Sequence, residues 1–302
     1  MRALITGATG FVGRQLLEKL TSPVILSRDP ERARQQIGRD DITCHGWNAD
    51  EELPPPEALE GVDVVFHLAG ESVAKGRWTA AKKKRIRDSR VIGTRNLVDG
   101  LLGLADPPGV LVSASAVGFY ASRGDEILSE QSSQGDDFLA DVCRQWEAES
   151  ARAGEAGVRV VNPRISIVLG TRGGALKQML TPFRFGLGGR LSSGRQWMPW
   201  IHIDDLVEAL LWMATRDDLA GPVNAAAPGE VSNLEFTKTL GRVLKRPTIF
   251  PVPRFILQLL IGEFTEILVA SSRVAPRRLL DEGFSFNYPD LDPALRHLLG
   301  RE

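Results

Sequence analysis

"ALITGATGFVGRQLLEKL", residues 3 to 20, decides the fold. An apolar run meets Gly7, Gly10 and Gly13 at a spacing of three, and a helical pattern follows at once. Glycines there let a strand turn tightly into a helix and let the backbone approach a pyrophosphate. The start of the helix then offers free N–H groups to the anion. A glycine pattern alone is weak evidence. Its context strengthens it: a strand pattern precedes it, a helix pattern follows, and a second apolar run, "PVILS" (23–27), comes soon after.

The alternation continues outward. "ITCHGW" (42–47), "VDVVFHLA" (62–69), "GVLVSAS" (109–115) and "VRVVNPRI" (158–165) read as further strands, with helical segments at 13–20, 80–104 and 137–153. Strand and helix in turn predict βαβ units and an α/β fold, a doubly wound parallel Rossmann sheet. The strands are apolar along nearly their whole length, as expected when helices cover both faces. "LPPPEALE" (53–60) reads as a surface connection, because its prolines rule out a central strand. Past residue 170 a glycine-rich stretch looks loop-like. "IHIDDLVEALLWMAT" then turns from strand to helix near Asp204, and "PVNAAA" (222–227) reads as one more strand. Ser232 and Glu235 suit a capping box on the next helix. The C-terminal third reads as a smaller α/β lobe.

Composition bounds the function. The 302 residues are 43% hydrophobic and 25% charged, the balance of a globular protein with a sizeable core. A formal net charge of −1 argues for neither nucleic acid nor a membrane surface. The cations Lys82, Lys83, Lys84, Arg85, Arg87 and Arg90 spread over several helix faces and read as a solvated surface, with Arg85 and Arg90 set apart below. Cys44 and Cys143 make no disulfide framework, and the short N-terminal apolar run does not fit a signal peptide, so a cytoplasmic setting is expected. "RFILQLLIGEFTEILVA" (254–270) carries Gln258, Glu263 and Glu266 and reads as a buried amphipathic helix, not a membrane span.

The tip of the second strand bears on which dinucleotide the turn serves. Selection of NAD usually places Asp or Glu there for the ribose 2′-hydroxyl. Here the tip reads "LSRDP" (26–30), and the fork of Arg28 suits a 2′-phosphate, with Ser27 beside it.

The chain resembles the extended short-chain dehydrogenase/reductases on "TGATGFVG" (6–13), "FHLAG" (66–70) and "VSASAVGFY" (112–120). Within them it is similar to epimerase-family proteins of the YfcH type on "GRWTAAKKKRIRDSRVIGTRNLV" (76–98), "FLADVCRQWEAE" (138–149), "PWIHIDDL" (199–206) and "RVAPRRLLDEGFSF" (273–286). The resemblance implies a Rossmann domain over 1–170 holding NADP(H), with 199–228 returning to it. A substrate-side lobe would comprise 171–198 and 229–302. It places Gly7, Gly10, Phe11 and Val12 at the pyrophosphate, Ser27 and Arg28 at the 2′-phosphate, and Leu68, Ala69, Gly70 and Glu71 beside the adenosine. Arg90, with Arg85 near it, would face the cofactor. Ser113, Pro163, Arg164 and Val168 would lie toward the nicotinamide. Arg172, Arg184, Arg190, Trp197 and Trp200 offer a lining for an anionic or flat ligand. A small-molecule partner and a monomer or homodimer are expected.

One departure stands out. Reductases and epimerases of this kind pair a Ser or Thr with Tyr-x-x-x-Lys, a proton donor whose pKa the lysine lowers. The corresponding stretch, "FLADVCRQWEAES" (138–150), has neither tyrosine nor lysine, and Tyr120 is followed four residues on by Gly124. Ser115 and Tyr120 are the remaining catalytic candidates, with Cys143, Glu147, His202 and Asp204 nearby. No His/Cys/Asp spacing suggests a metal. The leading expectation is an NADP(H)-dependent oxidoreductase or epimerase-like enzyme with a non-standard catalytic set. The alternative is a catalytically silent NADP(H) sensor, and a nucleotide-sugar epimerase acting through Tyr120 is a third reading.

Overall fold

The computed structural model describes residues 1–301. The first half runs β1 (Ala3–Thr6), α1 (Phe11–Leu17), β2 (Val24–Ser27), α2 (Pro30–Ile37), β3 (Thr43–Gly46), α3 (Pro56–Leu59), β4 (Val64–His67), α4 (Ala80–Leu102), β5 (Val110–Ser113), β6 (Ser115–Ala116), β7 (Ile127–Leu128), α5 (Phe138–Ala151) and β8 (Arg159–Ile165). The second half runs β9 (Ile167–Leu169), α6 (Gly174–Arg184), β10 (Trp200–His202), α7 (Ile203–Thr215), β11 (Gly221–Ala225), α8 (Asn233–Leu244), α9 (Arg254–Ile261), α10 (Thr265–Val269), β12 (Arg273–Val274), α11 (Arg277–Asp281) and α12 (Leu291–Leu299).

The central sheet has the order β3-β2-β1-β4-β5-β8-β11, and β6 pairs with β8. Its pairings are parallel. Apolar residues alternate between two cores. Ile5, Ile25, Phe66 and Val112 pack on one face with Leu206, Val207 and Leu210 of α7. Leu4, Val65 and Leu111 pack on the other with Leu97, Val98 and Leu101 of α4. Burial on both faces is why these strands read as unbroken apolar runs. Each fully buried side chain of this size contributes about 1.5–3 kcal/mol. The strand order reverses between β1 and β4, and that switch point opens a crevice at the C-terminal strand ends.

A further core joins Leu176, Leu180 and Phe183 of α6 to Trp200, Phe236, Leu240 and Leu295. The lobe beyond 171 is mostly helical, with short strands at its seams: β10 pairs β9, and β12 pairs β7. The capping box at Ser232 and Glu235 forms as expected. Three local expectations change. The stretch after 170 contains α6, whose apolar residues follow helical spacing while Pro182 and flanking glycines hide it. Residues 53–60 hold a short helical segment, α3, that buries Ala58 and Leu59. The segment 254–270 is not buried: α9 turns Leu257 inward and leaves Phe255, Leu259 and Leu260 exposed. No helix among the described residues is long and apolar enough to cross a membrane.

Candidate dinucleotide site

The turn after β1 depends on missing side chains. Gly7 has a left-handed φ of +72°, and a Cβ there would lie 2.8 Å from the backbone C and O of Leu68. A Cβ on Gly13 would lie 2.3 Å from the Gly7 carbonyl oxygen. The two glycines thus let the loops after β1 and β4 touch and let α1 start close beneath them. The Gly10 N–H donates to Gly7 O at 2.9 Å, which closes the turn.

A buried histidine braces the facing loop. Thr6 Oγ1 accepts from the N–H groups of Leu68 and Ala69, at 3.1 Å each. Its own hydrogen therefore goes to His67 Nδ1, 2.8 Å away, and His67 Nε2–H donates to Thr94 Oγ1 at 3.0 Å. Burial, with the Arg90 charge adding, lowers the His67 pKa to about 4, so the ring is neutral.

Between these loops lies a cavity of about 310 Å³ whose wall includes Gly7, Gly10, Ser27, Arg28, Leu68, Ala69, Gly70, Glu71 and Arg85. The expected residues from three separate strand ends therefore meet. Arg28 is exposed, and among the described residues its side chain makes no hydrogen bond or ion pair. Glu71 accepts from the buried Lys82 at 2.5 Å, and that bond holds its carboxyl below the usual range. Arg85 lies 3.9 Å from the same carboxylate. Lys82 is thus no solvated cation. Trp47, Asp50 and Ser89 complete the wall and were not expected. Trp47 directly follows β3, and the other C-terminal strand ends on this edge were legible in the same way.

Three expected contacts turn their side chains elsewhere. The Phe11 ring packs among Gly170, Gly173 and Gly174, where a Cβ on Gly170 would come within 2.5 Å of it, and Val12 packs against the core. Only their backbone can meet a pyrophosphate. Arg90 does not line the cavity. It donates to the carbonyls of Glu71 at 3.0 Å and Ile86 at 3.1 Å and lies over the Trp146 ring, so it props the loop from beneath.

The nicotinamide end is built differently. Ser115 donates to Glu147 Oε1 at 2.6 Å. Arg164 forks onto both Glu147 oxygens at 2.8 Å each, and its Nη1 donates to the Tyr120 hydroxyl at 2.9 Å. Tyr120 donates onward to Asn224 Oδ1 at 2.7 Å. Tyr120 has no exposure, and Arg164 and Ser115 are each 3% exposed, so all three are buried within this network. Burial also raises the Tyr120 pKa. Cys143 is pushed up to about 12 by burial, with Glu147 adding, which leaves a protonated thiol and a poor nucleophile. Ser113 pairs with His67 across the ladder; its Oγ is buried and has no hydrogen-bond partner among the described residues. Pro163 is fixed beside Val223 in β8, and Val168 lies half-buried in β9.

Trp197 and Trp200 are spent on structure, donating to Asp125 and to the carbonyl of Gly229. His202, Asp204 and His297 do come together, with potential ligand atoms within 4.8 Å of one another. His202 Nδ1 accepts the Asp204 N–H at the start of α7, its Nε2 pairs with His297 Nδ1 at 3.2 Å, and Tyr288 stacks on both rings. These nitrogens are committed to a hydrogen-bonded chain that caps a helix.

Known proteins share this architecture. Residues 252–298 match a domain of unknown function, DUF1731. The Arabidopsis thaliana "Epimerase family protein SDR39U1 homolog, chloroplastic" is 38% identical, over 99% of this chain and 87% of its own. Bacillus subtilis "Epimerase family protein YfhF" is 35% identical, over 99% and 98%. A crystal structure of the human epimerase family protein SDR39U1 with NADPH superposes with a TM-score of 0.88 at 32% identity, over the full length of both chains. MoeE5, solved with UDP-glucuronic acid and NAD, shares the fold at a TM-score of 0.78 and 19% identity. With residues 3–226 matching the family model itself, the chain belongs to the NAD dependent epimerase/dehydratase family, as an atypical extended short-chain dehydrogenase/reductase.

Proposed function

We propose that the crevice binds NADP(H) and that the chain is an oxidoreductase or epimerase-like enzyme acting on a small molecule, with Ser115 and Glu147 in place of the usual tyrosine and lysine. The observation that carries this reading is the 2.6 Å bond from Ser115 to a carboxylate at the C-terminal edge of the sheet. Arg28 and Arg85 favour a 2′-phosphate over a bare hydroxyl, and the NADPH in the human SDR39U1 structure supports that choice. When bound, the nicotinamide would donate or accept a hydride. Arg164 holds both Glu147 oxygens in place, and Glu147 Oε1, which accepts from Ser115, would take the proton that passes through the Ser115 hydroxyl. Tyr120 takes no part. Residues 171–198 and 229–302 form the substrate side.

A second reading, a silent NADP(H) sensor, is favoured by the saturation of the same network, in which Glu147, Arg164, Tyr120 and Asn224 are bonded in one continuous chain. Two measurements separate the readings. In calorimetry Arg28→Ala should weaken NADPH by about one to two orders of magnitude and leave NADH unchanged, because a hydrogen bond to a charged group contributes about 1.5–3 kcal/mol. Against a panel of alcohols with NADP⁺ and carbonyl compounds with NADPH, turnover that Ser115→Ala abolishes supports the enzyme. Tight binding without turnover on the whole panel supports the sensor.

A further inference from the structure

Eight of the twelve large apolar side chains exposed among the described residues come from two segments, 185–187 and 249–260. The segments form one surface. Val252 N–H donates to Arg190 O at 2.8 Å and Ser192 N–H to Val252 O at 2.9 Å, and a Cβ on Gly186 would lie 3.5 Å from Pro247. Phe185, Leu187, Ile249 and Phe250 are each more than 60% exposed. On α9, Phe255 with Leu259 and Ile256 with Leu260 are i,i+4 pairs, so they make one outward apolar face. Contiguous apolar surface of this kind marks an interaction site.

The two stretches that carry it hold charge of one sign, with Glu263 and Glu266 following directly and taken up in ion pairs. Residues 171–203 and 236–262 hold ten lysines and arginines and no Asp or Glu. Arg172, Arg242 and Arg254 are paired, with Glu18, Asp292 and Glu266. Arg184, Arg190, Lys245 and Arg246, which flank the apolar residues, are exposed and have no carboxylate partner among the described residues. The whole-chain charge of −1 conceals this local excess.

We propose that this surface docks on an anionic lipid bilayer as an interfacial contact, not a span. Phe255, Leu259 and Phe250 enter the boundary of the acyl chains while Arg184, Arg190, Lys245 and Arg246 meet headgroup phosphates. Charge favours a lipid surface over a second copy of the chain, since a twofold pairing would set the unpaired Arg184, Arg190, Lys245 and Arg246 against one another while the nearby Glu263 and Glu266 are already in ion pairs. The helix is tied to the Rossmann half by Arg77 donating to Leu259 O at 2.6 Å and by the Lys83–Glu263 ion pair, so docking would fix how the crevice faces the lipid.

Co-sedimentation of the full chain with vesicles of phosphatidylcholine, with and without phosphatidylglycerol, tests this. Wild type should bind only the phosphatidylglycerol vesicles and leave them at high salt. Phe255→Ser/Leu259→Ser and, separately, Lys245→Glu/Arg246→Glu should each weaken binding about tenfold or more while keeping wild-type NADPH affinity as proof of folding. The proposal is overturned if wild type ignores both vesicles, if both folded variants bind as wild type does, or if ultracentrifugation shows a dimer that Phe255→Ser/Leu259→Ser dissociates with no lipid binding.

Discussion

The two ends of the crevice are made of similar residue types used in opposite ways. At the adenosine end, glycines clear the space and the cations Arg28 and Arg85 stand at its rim, with Arg28 unpaired. At the nicotinamide end, Arg164 is consumed by Glu147, Tyr120 by Arg164 and Asn224, and Ser115 by Glu147. An open end with free charge is built to gain partners. A closed network is built to keep the ones it has. Substitutions should therefore damage binding at the first end and stability at the second.

The largest expected effect is at the closed end. Glu147→Ala leaves Arg164, whose side chain is 4% exposed, as a buried charge without its partner. Breaking such a pair costs about 3–5 kcal/mol. Urea unfolding should show that loss. A loss below about 1 kcal/mol, the range of surface pairs, would mean that this end is as open as the other.

Gly10→Val attacks the open end. The backbone at Gly10, φ −74° and ψ 175°, accepts valine, and among the described residues a Cβ there would come near only Gly7 O, at 3.0 Å. The protein should fold, and NADPH affinity should fall by about two orders of magnitude, near 2.7 kcal/mol. Undiminished affinity in a folded variant would remove the glycine turn from the site.

Legibility in the sequence follows the same division. Glycine spacing, apolar runs and Arg28 are local signals, and each stood close to its observed place. The closed network is not local: Tyr120 and Asn224 are 104 positions apart, and Arg164 lies 17 from Glu147. No spacing rule announces such partners, so the sequence offers Tyr120 as a catalytic candidate and Arg164 as a cofactor contact without showing that each bonds the other. Arg90 was placed in the right neighbourhood on the wrong side of the loop, because the resemblance specified a position and not a direction. In α9 the apolar period was clear, but periodicity cannot say whether a greasy face turns in or out.

His67, which braces the open end through Thr6 and Thr94, gives a smaller, pH-dependent effect. Its folded pKa of about 4 lies below the ordinary 6.5. A depressed histidine stabilises the fold above pH 6.5, and this contribution is lost as pH falls toward 4, where the unfolded chain takes up a proton and the native one does not. Between pH 7 and pH 5 the unfolding free energy should drop by about 2 kcal/mol from this residue. His67→Gln should show a flatter profile by that amount, and an identical slope would mean that His67 titrates normally.

The smallest expected effect is the most discriminating. Tyr120→Phe removes one hydroxyl from the closed network. Asn224 keeps its amide bonds to the carbonyls of Leu128 and Ala275, and Arg164 keeps its fork to Glu147, so the stability cost should be about 1 kcal/mol. Because the hydroxyl is buried away from the crevice, NADPH affinity, any turnover and its pH profile should match wild type. Loss of turnover with unchanged affinity would return Tyr120 to the role that the family's missing dyad once suggested. It would also mean that the network opens during the reaction, which is the one motion that would make the closed end behave like the open one.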